Sequence, residues 1–235
     1  MEHARDIEAA KLVIDEPMRA FIPTTDGGLF PFRRVYCIVR NFADHAIEMG
    51  HDPDKEPPFF FQKNAENVDS SGEFPYPPET SDVHHEIEMV VALKSGGKNI
   101  SEADAMSHVW GYGVGLDMTR RDLQGQMKKM GRPWEIGKAF ERSAPVGPLV
   151  PISQTGPLDE GAISLSINGE TRQSGDLNMM IWKVAEQIAY LSRFYDIAGG
   201  DIIMAGTPAG VGPVERGDKL QGKVAGLPVL DVTVT

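Results

Sequence analysis

The chain is poor in cysteine, aromatic residues, positive charge and long apolar runs, and each shortage narrows its class. Cys37 is the one cysteine among 235 residues, so no disulfide framework can form within the chain. It lies in the apolar run Val35-Tyr36-Cys37-Ile38-Val39, where a thiol reads as core material rather than as a nucleophile. No stretch approaches the ~18 consecutive apolar residues of a membrane span. The opening MEHARDIEAAKLVIDEP is acidic and has no signal-type apolar segment. Lys and Arg total 23 against 34 Asp and Glu, a net charge of −11. Nucleic acid and anionic membrane surfaces reward the opposite balance, so neither is expected as a partner. The expected setting is cytoplasmic. With 41% hydrophobic and 8% aromatic residues, there is material for one sizeable core.

What is present is a succession of short apolar segments separated by turn formers. Residues 1–31, with Pro17, Pro23 and Gly27-Gly28, read as an N-terminal arm or peripheral strand, and 32–235 as the main domain. RRVYCIVRN and VHHEIEMVVAL read as strands and FADHAIEMG as a short helix, whereas residues 64–82 read as an exposed connection. Ser101 followed by Asp104 is a capping-box pattern. GYGVGLDM is a glycine-spaced strand, and RRDLQGQMKKM a helix that Thr119 can cap and Gly131 can end. Asn168-Gly169 marks a hairpin. A helix carrying Val184, Ile188, Leu191 and Phe194 on one face is expected to run to Gly199-Gly200, and DIIMAG is a strand entering TPAGVG. Strands outnumber helices, so the fold class is α+β and β-rich.

In a strand side chains alternate, which puts Glu86 and Glu88 on one face and His85, Ile87 and Met89 on the other. Two carboxylates about 7 Å apart on an otherwise apolar strand repel each other and lose hydration unless a cation is present. An E-x-E taken alone more often marks a solvated acidic edge. Asp117, at the end of the glycine-spaced strand just before a helix, adds a third acid. Three oxygen ligands without Cys or H-E-x-x-H favour Mg²⁺ or Mn²⁺, with Ca²⁺ as an alternative, over structural zinc.

HHEIEMVVAL, GYGVGLDMTRRDLQ, GKAF and AGTPAGVGP, in that order, resemble the successive signatures of the fumarylacetoacetate hydrolase family, over the span from about Phe32 to the C-terminus. Within it, RRVYCIVRNFADHAIEMGHDPDKEPPFFFQK is most similar to the fumarylpyruvate hydrolase and acylpyruvase branch. Val39-Arg40-Asn41-Phe42 stands where that branch usually reads G-R-N-Y, and Phe61-Gln62-Lys63-Asn64 where it reads F-x-K-P. The resemblance implies a mixed β-roll or barrel-like sandwich with peripheral helices, assembled as a homodimer. It places metal ligands on Glu86, Glu88 and Asp117, a histidine-glutamate dyad on His45 and Glu48, and lysine and threonine contacts on Lys138 and Thr207.

Three positions apart in a helical segment, His45 and Glu48 share a face, so the carboxylate can orient the imidazole as a base. The implied reaction is hydrolysis of a carbon-carbon bond in an acylpyruvate, a small anionic oxo-acid, during aromatic catabolism. Lys138 serves the developing oxyanion or enolate, Arg121 and Gln124 bind carboxylate or carbonyl oxygen, and Lys63 neutralises a second acid group. Oxaloacetate decarboxylation and oxo-acid isomerisation use the same metal enolate and stand as alternatives. Lys128-Lys129 reads as a solvated helix end. G-Y-G-V-G-L lacks dinucleotide-loop spacing and is assigned to close backbone packing.

Overall fold

The computed structural model describes Ile14, residues 20–43 and residues 57–235. Two β-sheets carry the molecule. One has six strands in the order Val150–Pro151, Val109–Leu116, Ile87–Leu93, Asp201–Met204, Arg34–Val39 and Phe59–Lys63. The other has five, in the order Glu170–Asp176, Ala162–Ile167, Lys219–Val224, Leu230–Val234 and Glu73–Phe74. Asp201–Met204 runs parallel to Arg34–Val39 and antiparallel to Ile87–Leu93, so the larger sheet is mixed. The expected β-rich α+β class is the observed one. No helix among the described residues is long and apolar enough to cross a membrane.

Side-chain alternation sorts the larger sheet between two cores. Ile87, Met89, Val91 and Leu93 join Ile163, Leu165, Val224 and Val232 of the smaller sheet in the main core. Val90 and Ala92, on the opposite face, pack with Val35, Cys37, Ile202 and Met204. Covered on both sides, Ile87–Leu93 needs an almost continuous apolar sequence, and Glu88 is the exception within it. The second face is sealed by a hairpin of Ala20–Pro23 and Leu29–Phe32, which inserts Ile22, Phe30 and Phe32. The 31/32 boundary read from sequence falls inside that hairpin's second strand.

The glycines of Val109–Leu116 let two other segments approach closely. A Cβ on Gly111 would lie 2.0 Å from the Val150 carbonyl oxygen, and one on Gly115 would lie 2.7 Å from Val90 Cγ2. Close packing, as read from sequence, is the reason they are glycines. Asn168 (φ 52°) and Gly169 (φ 87°) form the hairpin turn with both residues left-handed. The Ser101 hydroxyl caps its helix by accepting from Asp104 N at 3.2 Å.

Other expectations are corrected. Residues 64–82 are not a free connection: Glu73–Phe74 pairs in parallel with Leu230–Val234, and Phe74 is fully buried. The late helix spans Val184–Ser192 and stops before Phe194, which is 56% exposed and meets the Phe60 ring at a tilt and the Tyr190 ring edge-on, at 6.2 and 5.1 Å. Thr119 does not cap the helix Arg121–Met130; it belongs to a short strand and its hydroxyl faces Lys138. FADHAIEMG, apart from Phe42 and Ala43, lies outside the described residues.

Two glycine substitutions separate packing from backbone entropy. Gly111→Ala should lower unfolding stability by roughly 2–3 kcal/mol, because the new methyl meets backbone that cannot yield. Gly125→Ala, in the helix with nothing within 4 Å of its Cβ position, should raise stability by about 0.5–1 kcal/mol. Denaturant midpoints report both, and an unaffected Gly111→Ala protein would contradict the close-approach account.

Candidate active site

The strand read as VHHEIEMVVAL divides at Glu86. Val83–His85 pairs with Thr119–Arg120 and Gly212–Pro213, whereas Ile87–Leu93 enters the six-stranded sheet. Gln173 bridges the break: its Oε1 accepts from Ile87 N at 3.0 Å and lies 2.9 Å from His85 Nδ1. Its Nε2 donates to Thr207 Oγ1 and to the Pro208 carbonyl, both at 2.8 Å. A β-bulge aims it there, since Leu165 pairs with Gln173 but Ser166 with Thr171, leaving Arg172 as the extra residue. With its amide fully used, Gln173 holds His85 to one side while Glu86 and Glu88 line a cavity on the other.

Asp117 joins them through the ladder. Ile87 registers with Leu116, and Asp117 N donates to the Glu86 carbonyl at 2.8 Å. One oxygen from each of the three carboxylates falls within 4.8 Å of the others. Glu86, Glu88 and Asp117 are 6%, 2% and 1% exposed, which rules out a solvated acidic edge.

Three cations offset these charges. Lys138, from the one-turn helix Glu135–Lys138, donates to Asp117 Oδ2 at 2.7 Å, Glu86 Oε2 at 2.9 Å and Thr119 Oγ1 at 2.6 Å. Burial opposes its charge, but Asp117 and then Glu86 outweigh that and hold its pKa above the ordinary lysine value. Lys63 Nζ sits 3.0 Å from Asp117 Oδ1, an oxygen that accepts no well-aligned hydrogen bond. Arg121 pairs with Glu86 Oε1 and donates to Gln124 Oε1 at 2.7 Å.

Glu88 has no cation at ion-pair distance among the described residues. Its Oε2 accepts from Gly206 N at 2.8 Å, and burial, followed by the charges of Asp117 and Glu86, pushes its carboxyl well above the usual range. Gly206 has φ +99°, and a Cβ there would meet Asn41 Cβ at 2.6 Å. The residue just before the TPAGVG loop thus spends its N–H on a carboxylate.

The donor set fits a hard divalent ion. Three carboxylates converge, one buried oxygen lacks a hydrogen bond, and the void at their tips is about 30 Å³, room for about two waters or an ion with its water. Glu86, Glu88 and Asp117 are the residues that would hold it.

Lys138, Arg121, Gln124 and Thr207 line the cavity with the triad. Lys63 does not. It is fully buried behind Asp117, in contact with the Lys138 carbonyl and 2.9 Å from Ser143 Oγ, so it stabilises the triad instead of meeting a substrate acid group. Lys128 is corrected in the opposite direction: it lines the cavity, with its ammonium 4.8 Å above the Trp134 ring. Burial and the nearby charges of Arg121, Lys138 and Arg40 lower its pKa to about 8. The i, i+3, i+7 spacing of Arg121, Gln124 and Lys128 could have shown this from sequence. Arg40, at φ 56°, also lines the cavity and was not singled out. His45 and Glu48 lie outside the described residues.

A family model for "Fumarylacetoacetate (FAA) hydrolase C-terminal" matches residues 34–235. The chain belongs to the fumarylacetoacetate hydrolase family. Among solved structures, fumarylpyruvate hydrolase from Pseudomonas aeruginosa in complex with Mn²⁺ and pyruvate is 51% identical with a TM-score of 0.94, covering 96% of this chain and 99% of that one. A fumarylpyruvate hydrolase from a Ralstonia species is 43% identical over 79% of this chain and 98% of its own length. An oxaloacetate tautomerase from Escherichia coli is 40% identical over 81% of this chain and 88% of its own. The β-rich arrangement above is the fold of this family.

Glu88→Gln tests the charge arrangement. Removing the carboxylate that lacks a cation should stabilise the chelator-treated protein by about 1–3 kcal/mol. It should also abolish the stabilisation of about 2.7 kcal/mol that Mn²⁺ at 100 times its Kd gives a specific site. Thermal unfolding with and without Mn²⁺ reads both, and an undiminished Mn²⁺ response in the variant would contradict the assignment.

Proposed function

We propose that this chain hydrolyses a carbon-carbon bond of an acylpyruvate, yielding pyruvate and a carboxylic acid, with fumarylpyruvate as the representative substrate. The observation that carries the reading is one cavity in which a buried carboxylate triad is ringed by Lys138, Arg121, Gln124 and Thr207. The Mn²⁺ and pyruvate bound by the 51% identical hydrolase support it.

A divalent ion, Mn²⁺ or Mg²⁺, supplies Lewis acidity that favours an enolate leaving group. The chain's own groups do the rest. Arg121 is anchored by Glu86 and in turn engages Gln124 Oε1, which leaves the Gln124 NH₂ as the edge able to donate to a substrate oxygen. Arg121 itself offers a guanidinium fork to the substrate carboxylate. His45, oriented by Glu48, removes a proton from the water that attacks the distal carbonyl. Lys138, kept protonated by Asp117 and Glu86 and with its three N–H groups engaged by Asp117, Glu86 and Thr119, contributes a fixed positive charge beside the oxygen on which charge develops. Rupture of the bond between the attacked carbonyl and the methylene releases the acid and, after protonation at carbon, pyruvate.

Tautomerisation of an oxo-acid is the second reading, favoured by the 40% identical Escherichia coli relative. It needs proton transfer between carbon and oxygen but no water attack.

The two readings differ in products. Mn²⁺-loaded protein given fumarylpyruvate should release pyruvate and fumarate in equal amounts, and His45→Ala should lower kcat by about 10²–10⁴ while retaining Mn²⁺. Interconversion of oxaloacetate tautomers with no cleavage of any acylpyruvate would instead establish the isomerase reading.

A further inference from the structure

The helix Arg121–Met130 presents a row of three polar side chains to the cavity, and the third is unlike the others. Arg121 and Gln124 engage each other, and Arg121 also engages Glu86. Lys128 reaches the same cavity one turn further on, about 6 Å beyond Gln124 along the axis, and has no hydrogen-bond or ion-pair partner among the described residues. Its ammonium rests 4.8 Å above the Trp134 ring, which packs in turn against Phe59 and Phe61. A ring held on two sides is a fixed seat for a cation. Among the described residues, Arg121, Lys138 and Arg40 bring positive charge to this end of the cavity and Glu86 the opposing charge.

A chain with −11 net charge must concentrate positive charge locally to admit an anionic substrate. Arg121 and Lys138 are already engaged by the carboxylate triad, and Lys63 is buried behind it. We propose that Lys128 is a specificity-determining residue that receives the far carboxylate of an acylpyruvate carrying two acid groups. This rests on the acylpyruvate reading of the site. The near carboxylate and oxo group lie at the triad with Arg121 and Gln124, and the substrate extends along the helix face to Lys128. A role confined to covering Trp134 with the lysine stem predicts no dependence on the far carboxylate.

The test compares fumarylpyruvate with crotonylpyruvate, the same skeleton ending in methyl instead of carboxylate, on full-length Mn²⁺-loaded protein. Lys128→Met should lower kcat/KM for fumarylpyruvate by about tenfold to a hundredfold, through KM, the value of a charged hydrogen-bonded contact. Crotonylpyruvate should change by less than about twofold, and Lys128→Arg should keep most of the preference. Equal losses for both substrates, or none for either, would overturn the proposal. If the wild-type protein cleaves neither compound, the hydrolase reading fails. Calorimetric Kd values for the two compounds then decide the inference: Lys128→Met must weaken only the diacid, and unchanged affinity for it would overturn the proposal.

Discussion

Three carboxylates whose oxygens come within 4.8 Å of one another, each at most 6% exposed, repel strongly in a medium that hydrates none of them. Much of the surrounding structure follows from holding them there. Lys63 and Lys138 are buried because Asp117 and Glu86 need compensation, and Thr119 serves Lys138 instead of capping a helix. Gly206 must be glycine for its N–H to reach Glu88 beside Asn41. The Arg172 bulge turns Gln173 toward the strand break that directs Glu86 into the cavity. The arrangement is costly for the fold alone, and a divalent ion gives it a purpose.

The same constraint explains why an enolate site serves several reactions. A divalent ion held by the carboxylate triad, with Lys138 and Arg121 beside it, would stabilise negative charge on an oxo-acid whatever follows. Water attack needs a base for the attacking water, the part proposed for His45 and Glu48, and selection among oxo-acids needs contacts at the far end. These requirements fall on different segments, so relatives named as hydrolases and as tautomerases can match most of one chain at 43% and 40% identity.

Alternation made part of this legible in the sequence. Period-two patterning identified the shared face of Glu86 and Glu88, while Asn168-Gly169 fixed a turn whose backbone admits few residues. Burial and long-range pairing were not legible. Phe74 sits among turn formers and becomes core only because Glu73–Phe74 adds to a strand some 160 residues away. Lys63 and Lys128 were both misjudged because a lysine's environment depends on elements distant in sequence, Asp117 for the first and Trp134 with the cavity for the second. Asp117 itself was tied to the glutamates by resemblance alone, until the Ile87 and Leu116 register supplied the physical link.

The central claim is that Glu86, Glu88 and Asp117 form one metal site. Anomalous diffraction at the manganese edge from crystals grown with Mn²⁺ tests it most directly. The account predicts a single strong peak per chain within coordination distance of all three carboxylates. A peak elsewhere, or none in Mn²⁺-saturated crystals with Lys138 still bridging Glu86 and Asp117, would contradict it.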